Sequence, residues 1–199
     1  GQEGEIILST TPFYAEMGGE VGDTGIIFAG ESVARVLDTK APEAGLTVHK
    51  VKIESGSFSV GEEVTASVDA KRRASIARNH TCTHILHAAL REVLGAHVKQ
   101  AGSYVGPDRL RFDFTHFEAL IPEQIAQVEE LANSYIMQAI PTTRYETSLD
   151  EARNSGVTAL FGEKYGETVR VVEVGQFSRE LCGGCHVNNT CLLYTSPSP

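Results

Sequence analysis

In the first third of the chain, apolar residues fall in short alternating runs. Glu5–Leu8, Thr24–Phe28, Val33–Leu37, Leu46–Ile53 and Glu63–Val68 are rich in Val, Ile and Thr, and Gly18-Gly19, Gly22-Asp23, Gly30, Pro42, Gly45 and Gly61 separate them. Such runs bounded by turn residues predict strands, and five in so short a stretch predict a small β-barrel. After Asp69 the period changes. Cys82, Ile85, Leu86, Ala89, Leu90, Val93 and Leu94 recur at helical spacing and stop at Gly95. Ala96–Tyr104 and Arg109–Phe114 alternate like paired strands across the Gly106-Pro107-Asp108 turn. Pro122 and Glu123 suit the first turn of a second helix, with Ile125, Val128, Leu131, Ala132, Tyr135 and Ile136 on its apolar face and an end before Pro141. Ser148-Leu149-Asp150-Glu151 is a capping-box pattern for a short helix, and Thr168–Val174 reads as a strand. The order β-rich, then α, β, β, α, β, α, β predicts an α+β protein. It divides into a small N-terminal β-barrel over residues 1–68, then an antiparallel sheet with helices packed on it over 69–190. The last residues lack periodicity and end in alternating Ser and Pro, so 191–199 read as an unstructured or non-native tail.

Composition supports a folded chain, since 41% of the 199 residues are hydrophobic. No apolar run approaches a membrane span and no secretory leader opens the sequence, so no membrane partner is expected. The chain starts at Gly1 rather than Met, which reads as a fragment or processed form. Two of the four cysteines sit close to histidines, which favours a reduced, cytoplasmic setting over a disulfide framework. The net charge of −9 argues against a nucleic-acid partner until its distribution is considered. Between Lys71 and Arg111 lie eight basic residues (Lys71, Arg72, Arg73, Arg78, Arg91, Lys99, Arg109 and Arg111) and two acidic ones, Glu92 and Asp108. A phosphate-bearing ligand would be drawn to that stretch, although charge alone is equally met by solvated helix and strand faces.

The candidate chemistry lies in two remote segments, His80-Thr81-Cys82-Thr83-His84 and Cys182-Gly183-Gly184-Cys185-His186. Helical residues four apart share a face, about 6 Å apart along the axis, so two imidazoles there can share one ion. His84 with His87 is a second candidate pair, while His80 and His87 stand about 10 Å apart along the axis, too far for one small ion. Thr81 occupies the place that Glu takes in H-E-x-x-H, which removes the metalloprotease pattern. The mixture of imidazole and thiol is one that zinc favours. Cys182 and Cys185 also form C-x-x-C, which leaves two alternatives: a redox pair, or a structural zinc held by two Cys and two His. Thr11–Gly25 is glycine-rich but lacks the lysine of a phosphate loop.

Together, several segments resemble the editing domain of alanyl-tRNA synthetase, and less closely its free-standing relatives and the editing domain of threonyl-tRNA synthetase. They are Thr11-Pro12-Phe13-Tyr14-Ala15-Glu16 with Gly18-Gly19 and Val21–Gly25, Arg78-Asn79-His80-Thr81 through His84, and His97–Ser103. Arg109–Phe114, Ala159–Gly166 and Glu180–Gly184 complete the set. The resemblance implies a class II synthetase editing-domain fold that hydrolyses the aminoacyl ester of seryl- or glycyl-tRNA(Ala). It implies zinc held by His80, His84, Cys182 and His186, with His87 a packing neighbour, and an amino-acid pocket lined by Gln100 and Thr11. The acceptor end of tRNA(Ala) would be the partner, gripped through its phosphates by Lys71, Arg72, Arg73, Arg78, Arg109 and Arg111. The rest of a synthetase chain would be a further partner if this is a fragment. The alternatives are a free-standing trans-editing deacylase, a zinc-stabilised RNA-binding module without catalysis, and a thiol redox protein. The chain departs from the family at Cys185, usually Thr, at Glu20, usually Gln, and after Thr190, where the family's next strand is missing. Glu20 is expected to add negative charge near a pocket meant for RNA.

Overall fold

A computed structural model of the chain describes residues 1–159 and 165–193. Five strands open it: β1 (Glu3–Ile7), β2 (Gly25–Ala29), β3 (Ser32–Glu43), β4 (Leu46–Ser55) and β5 (Thr65–Val68). They form one antiparallel sheet in the order β1-β4-β3-β2-β5. Among the described residues no ladder joins β1 to β5, so what is seen of the expected small β-barrel is its five-stranded antiparallel sheet. Phe13, Ile27, Ala34, Val36 and Val51 form its buried core. Ala34 and Val36 of β3 point inward at alternate positions, as the two-residue period requires.

Helix α1 runs from Ala70 to Leu94, starting twelve residues before its apolar stripe becomes visible. The Asp69 side chain caps it by accepting from the Arg72 N–H at 2.9 Å. It ends at Gly95, whose φ of 114° a side chain would strain. A hairpin of β6 (Gln100–Val105) and β7 (Leu110–Phe114) follows, then α2 (Pro122–Met137). Ala89, Leu90, Val98 and Val128 bury the contact between α1, the hairpin and α2. Strand β8 (Thr142–Ser148) leads into α3 (Leu149–Asn154), whose Glu151 N–H donates to the Ser148 hydroxyl at 3.2 Å. Strands β9 (Thr168–Val174) and β10 (Ser178–Leu181) complete a three-stranded antiparallel sheet in the order β10-β9-β8, packed on α3 through Ala152, Val169, Val171 and Leu181.

The α+β class is therefore observed, with three sheets rather than two. The β6–β7 pair stays apart from the β8–β10 sheet because its outer contact is with the loop at Glu20, bridged to Val105. Thr190–Leu193 form a single 3-10 turn, so the start of the expected tail is ordered. Tyr194–Pro199, and Leu160–Lys164 of the family-like stretch, lie outside the described residues. No described helix is long and apolar enough to cross a membrane.

Candidate metal centre

The helical repeat places His80 and His84 on one face of α1, with ring centroids 5.2 Å apart. Strand β10 ends at Leu181 and delivers Cys182 and His186 to that face. The His186 ring stands 4.2 Å from His80 and 4.6 Å from His84. One donor atom from each of His80, His84, Cys182 and His186 lies within 4.8 Å of all the others. The Cys182 Sγ is 3.4 Å from His80 Nε2 and 3.2 Å from His186 Nε2. Tetrahedral zinc, with bonds of roughly 2.0–2.3 Å, sets neighbouring donors ~3.3–3.6 Å apart, so these separations match that shell closely. His87 is not among these close-set donors: its Nδ1 lies 2.9 Å from Glu180 Oε1.

Electrostatics favour the same reading. Burial pushes the Cys182 thiol up, but the charge of His80 and hydrogen bonds from His186, His80 and His84 outweigh it and hold the thiol well below its ordinary range. Burial and the neighbouring charge of His84 push His186 down to about 3, so its ring stays neutral. Burial opposes a charge on His80, but Cys182 and Glu20 outweigh it and push its pKa up to about 10, so the cluster pairs a thiolate with an imidazolium whose proton a bound metal would displace.

Two of the three rings, His80 and His186, are held from behind. The His80 Nδ1 meets the Glu20 carboxylate, and the His186 Nδ1 lies 3.0 Å from the Thr81 hydroxyl, which also accepts from the Val187 N–H at 3.2 Å. With Nδ1–H donating in both rings, Nε2 is free to face the thiol. The His84 Nδ1 is buried without a hydrogen bond, 3.8 Å from Glu180 Oε2. Two arginines fasten the loop through its carbonyls. Arg170 Nε donates to Cys182 O at 2.9 Å and its Nη2 to Gly184 O, while Arg144 Nη2 donates to His186 O at 2.5 Å and Val187 O at 3.0 Å. A Cβ at Gly184 would collide with the His80 ring and the Glu20 carboxylate, so any side chain there must displace one of them.

The cluster borders a cleft of about 540 Å³, whose walls include Pro12, Phe13, Tyr14, Arg73, Cys185 and His186. Cys185 faces this cleft and is not one of the four close-set donors; burial and Glu20 push its thiol up to about 12. Among the described residues, neither Thr11 nor Gln100 lines the cleft. The His49 Nδ1 bonds Ile6 O at 2.9 Å, so the Thr11 hydroxyl donates to His49 Nε2 at 2.7 Å while accepting from the Phe13 N–H at 3.1 Å. Gln100 is half-buried at the start of β6, opposite Phe114.

The six basic residues expected to hold RNA separate into two groups. Arg72 donates to Gly22 O at 2.8 Å, Arg73 to Pro12 O at 2.6 Å and to Asp23, and Arg78 to the Ser75 hydroxyl at 2.8 Å. Lys71, Arg109 and Arg111 are exposed, Arg109 over the Tyr104 ring and Arg111 beside Asp113. Glu20 is 1% exposed and faces His80, with its Oε2 also accepting from the N–H of Cys185, a residue of the cleft wall. Glu20, Thr81, Glu180, Arg144 and Arg170 were not identified as site residues from sequence. Glu20 stands out there as a departure from the family pattern, and Thr81 and Glu180 fall within the family-like segments without a role of their own.

Two family models match the chain: "tRNA synthetases class II (A)" over residues 1–72, and "Threonyl and Alanyl tRNA synthetase second additional domain" over residues 169–193. Among curated relatives, the alanine–tRNA ligase of Acetivibrio thermocellus is 56% identical over 190 residues, that of Pelotomaculum thermopropionicum 54% over 190 and that of Thermotoga maritima 55% over 186. These alignments take in 94–96% of this chain but only 22% of each relative. On this evidence, the chain belongs to the alanyl-tRNA synthetase family.

Proposed function

We propose that this chain is the editing domain of an alanyl-tRNA synthetase, hydrolysing the aminoacyl ester of tRNA(Ala) mischarged with serine or glycine. The observation that carries the reading is the largely buried donor set of His80, His84, Cys182 and His186 at the wall of a cleft of about 540 Å³. These four residues would hold zinc. Bound there, the ion supplies a positive centre that stabilises negative charge developing on the ester carbonyl oxygen.

The chain's own residues do the rest. Pro12, Phe13 and Tyr14 form a wall that shields the ester from bulk water. Thr11 positions that wall through Phe13, since its hydroxyl is committed to His49 and the Phe13 N–H. Gln100 lies outside the cleft lining, at the start of β6, and its contact with the substrate's amino-acid side rests on the family resemblance alone. A site built to hydrogen-bond a substrate hydroxyl rejects the analogue lacking it by ~10⁴-fold or more, which would separate seryl from alanyl ester. Exposed Lys71, Arg109 and Arg111 would take the RNA phosphates and make affinity salt-dependent.

The test is deacylation of seryl-tRNA(Ala) and alanyl-tRNA(Ala) by purified protein, with and without a chelator. The seryl ester should be lost in a chelator-sensitive manner while the alanyl ester survives. A second reading draws on the same four donors: a shell filled entirely by protein is the pattern of structural zinc, which fits an RNA-binding module. Folded, zinc-loaded protein that binds the RNA but leaves both esters intact would establish that module and remove the hydrolase.

A further inference from the structure

We propose that Glu20 is a positioning residue of the metal centre: its buried carboxylate fixes His80 for coordination and ties metal binding to the docking of the Glu16–Glu20 loop. The inference rests on the metal reading above and adds a residue from the N-terminal third to a site otherwise built on α1 and the loop after β10.

Glu20 is 1% exposed, which is costly for a carboxylate unless it is paired and hydrogen-bonded. Its partners belong to the centre. One oxygen, Oε2, meets the His80 Nδ1 and also accepts the Cys185 N–H at 2.9 Å. That atom therefore joins a ligand on α1 to the loop carrying the other two ligands, Cys182 and His186. The nearby Arg73 is committed elsewhere, to Asp23 and Pro12 O. Gly184 leaves the room needed, because a Cβ there would fall on both the His80 ring and the Glu20 carboxylate.

The backbone around Glu20 holds it from both sides. Met17 and Glu20 exchange backbone hydrogen bonds at 3.2 and 3.0 Å, with Gly18 and Gly19 at φ of 59° and 88° making the turn. The turn is sewn to β6 by Val105 N–H to Gly19 O at 2.8 Å and Val21 N–H to Val105 O at 3.1 Å. On its other side the Glu16 N–H donates to Thr39 O of β3 at 2.9 Å. The carboxylate is thus delivered by a fixed piece of chain bridging the first sheet and the hairpin.

A carboxylate accepting from Nδ1–H selects the tautomer whose Nε2 lone pair faces the ion, orients the ring and raises its basicity. Loss of such a partner typically lowers metal affinity ~10–100-fold. Glu20→Gln keeps an acceptor for Nδ1–H but removes the charge, whereas Glu20→Ala removes both.

The test uses the whole chain, titrated with zinc against a chromophoric chelator and with cobalt(II) for its visible spectrum. Glu20→Ala should lose ~10–100-fold in zinc affinity and show a changed cobalt d–d envelope. Glu20→Gln should lose less affinity and keep the tetrahedral spectrum, a rescue that a purely structural role would not produce. If Glu20→Ala does not fold, Glu20→Gln decides: weakened zinc binding in a folded protein supports the proposal, and wild-type affinity overturns it. Wild-type affinity and spectrum in both variants overturn it as well. A wild-type chain that takes up neither ion would instead remove the metal reading itself, an outcome distinct from variants that match a metal-binding parent.

Discussion

Arg170 offers the sharpest quantitative test of how the metal-binding loop is held. Its guanidinium donates to Cys182 O at 2.9 Å and to Gly184 O, on either side of Gly183. Arg170→Met keeps the apolar stem and the backbone bond from the Cys182 N–H to Arg170 O at 3.0 Å, and removes only those two donors. Hydrogen bonds from a charged donor contribute about 1.5–3 kcal/mol each, and Arg170 is half-buried, so the lower figure applies and the pair is worth ~3 kcal/mol. If the bound ion must supply that ordering instead, the deficit appears in affinity, at about 1.4 kcal/mol per decade, as a ~100-fold weaker zinc complex. Arg144 still grips His186 O and Val187 O, so ~10-fold is the floor for a loop that relaxes only around Cys182. Chelator competition reads the change directly, and Arg170→Lys, with one donor group in place of a fork, should fall between. Zinc affinity in Arg170→Met equal to that of the parent, in a protein that loses zinc on Cys182→Ala, would refute the idea that this guanidinium preorganises the loop.

Three further outcomes follow from the same geometry. Gly184→Ala should fold but bind zinc at least ~10-fold more weakly, because ligand positions are held to about 0.2 Å and the new methyl displaces either His80 or the loop; parental affinity by calorimetry would contradict the collision. Cys185→Thr should retain metal and Cys182→Ala should lose it, as read by metal content after gel filtration, since only Cys182 belongs to the close-set donors. His49 is fully buried, and burial holds its folded-state pKa below the ordinary value against the opposing pull of Ile6 O. Its contribution to stability is therefore present above the unfolded pKa of about 6.5 and lost as pH falls below it, because only the unfolded chain gains the proton readily. Thermal midpoints should drop less between pH 7.5 and 5.5 in His49→Gln than in the parent, and parallel curves would reject the assignment.

Much of this architecture is readable along the chain because local patterns govern it. The runs at Thr24–Phe28 and Leu46–Ile53 become β2 and β4 nearly unchanged, and Ser148 caps α3 where the Ser-x-x-Glu spacing placed it. The first half of α1 escapes periodicity because its face toward the first sheet is held by polar contacts, Arg72 on Gly22 O and Arg73 on Pro12 O, instead of an apolar stripe. Strand β6 starts at Gln100 rather than Ala96, since His97 stacks on His116 and Phe117 before the ladder begins. At the centre, spacing on α1 and in the cysteine loop identifies the ligand types, and the resemblance selects among them. The buttresses are not readable in the same way. Nothing local marks Thr81 as the partner of His186 or Glu180 as the neighbour of His84 and His87, each more than ninety positions away, and the four-residue β10 that carries Glu180 is too short to announce itself.

The separation of the two halves also has a bearing on biosynthesis. His80 and Cys182 are 102 positions apart, and the thiol comes second. At roughly 5–20 residues per second of translation, the imidazole pair leaves the ribosome ~5–20 s before the Cys182 sulfur, and His186 then completes the quartet. Throughout that interval a captured cation has only two of the four donors, both imidazoles, so final occupancy is decided late, after nearly the whole stretch has been made.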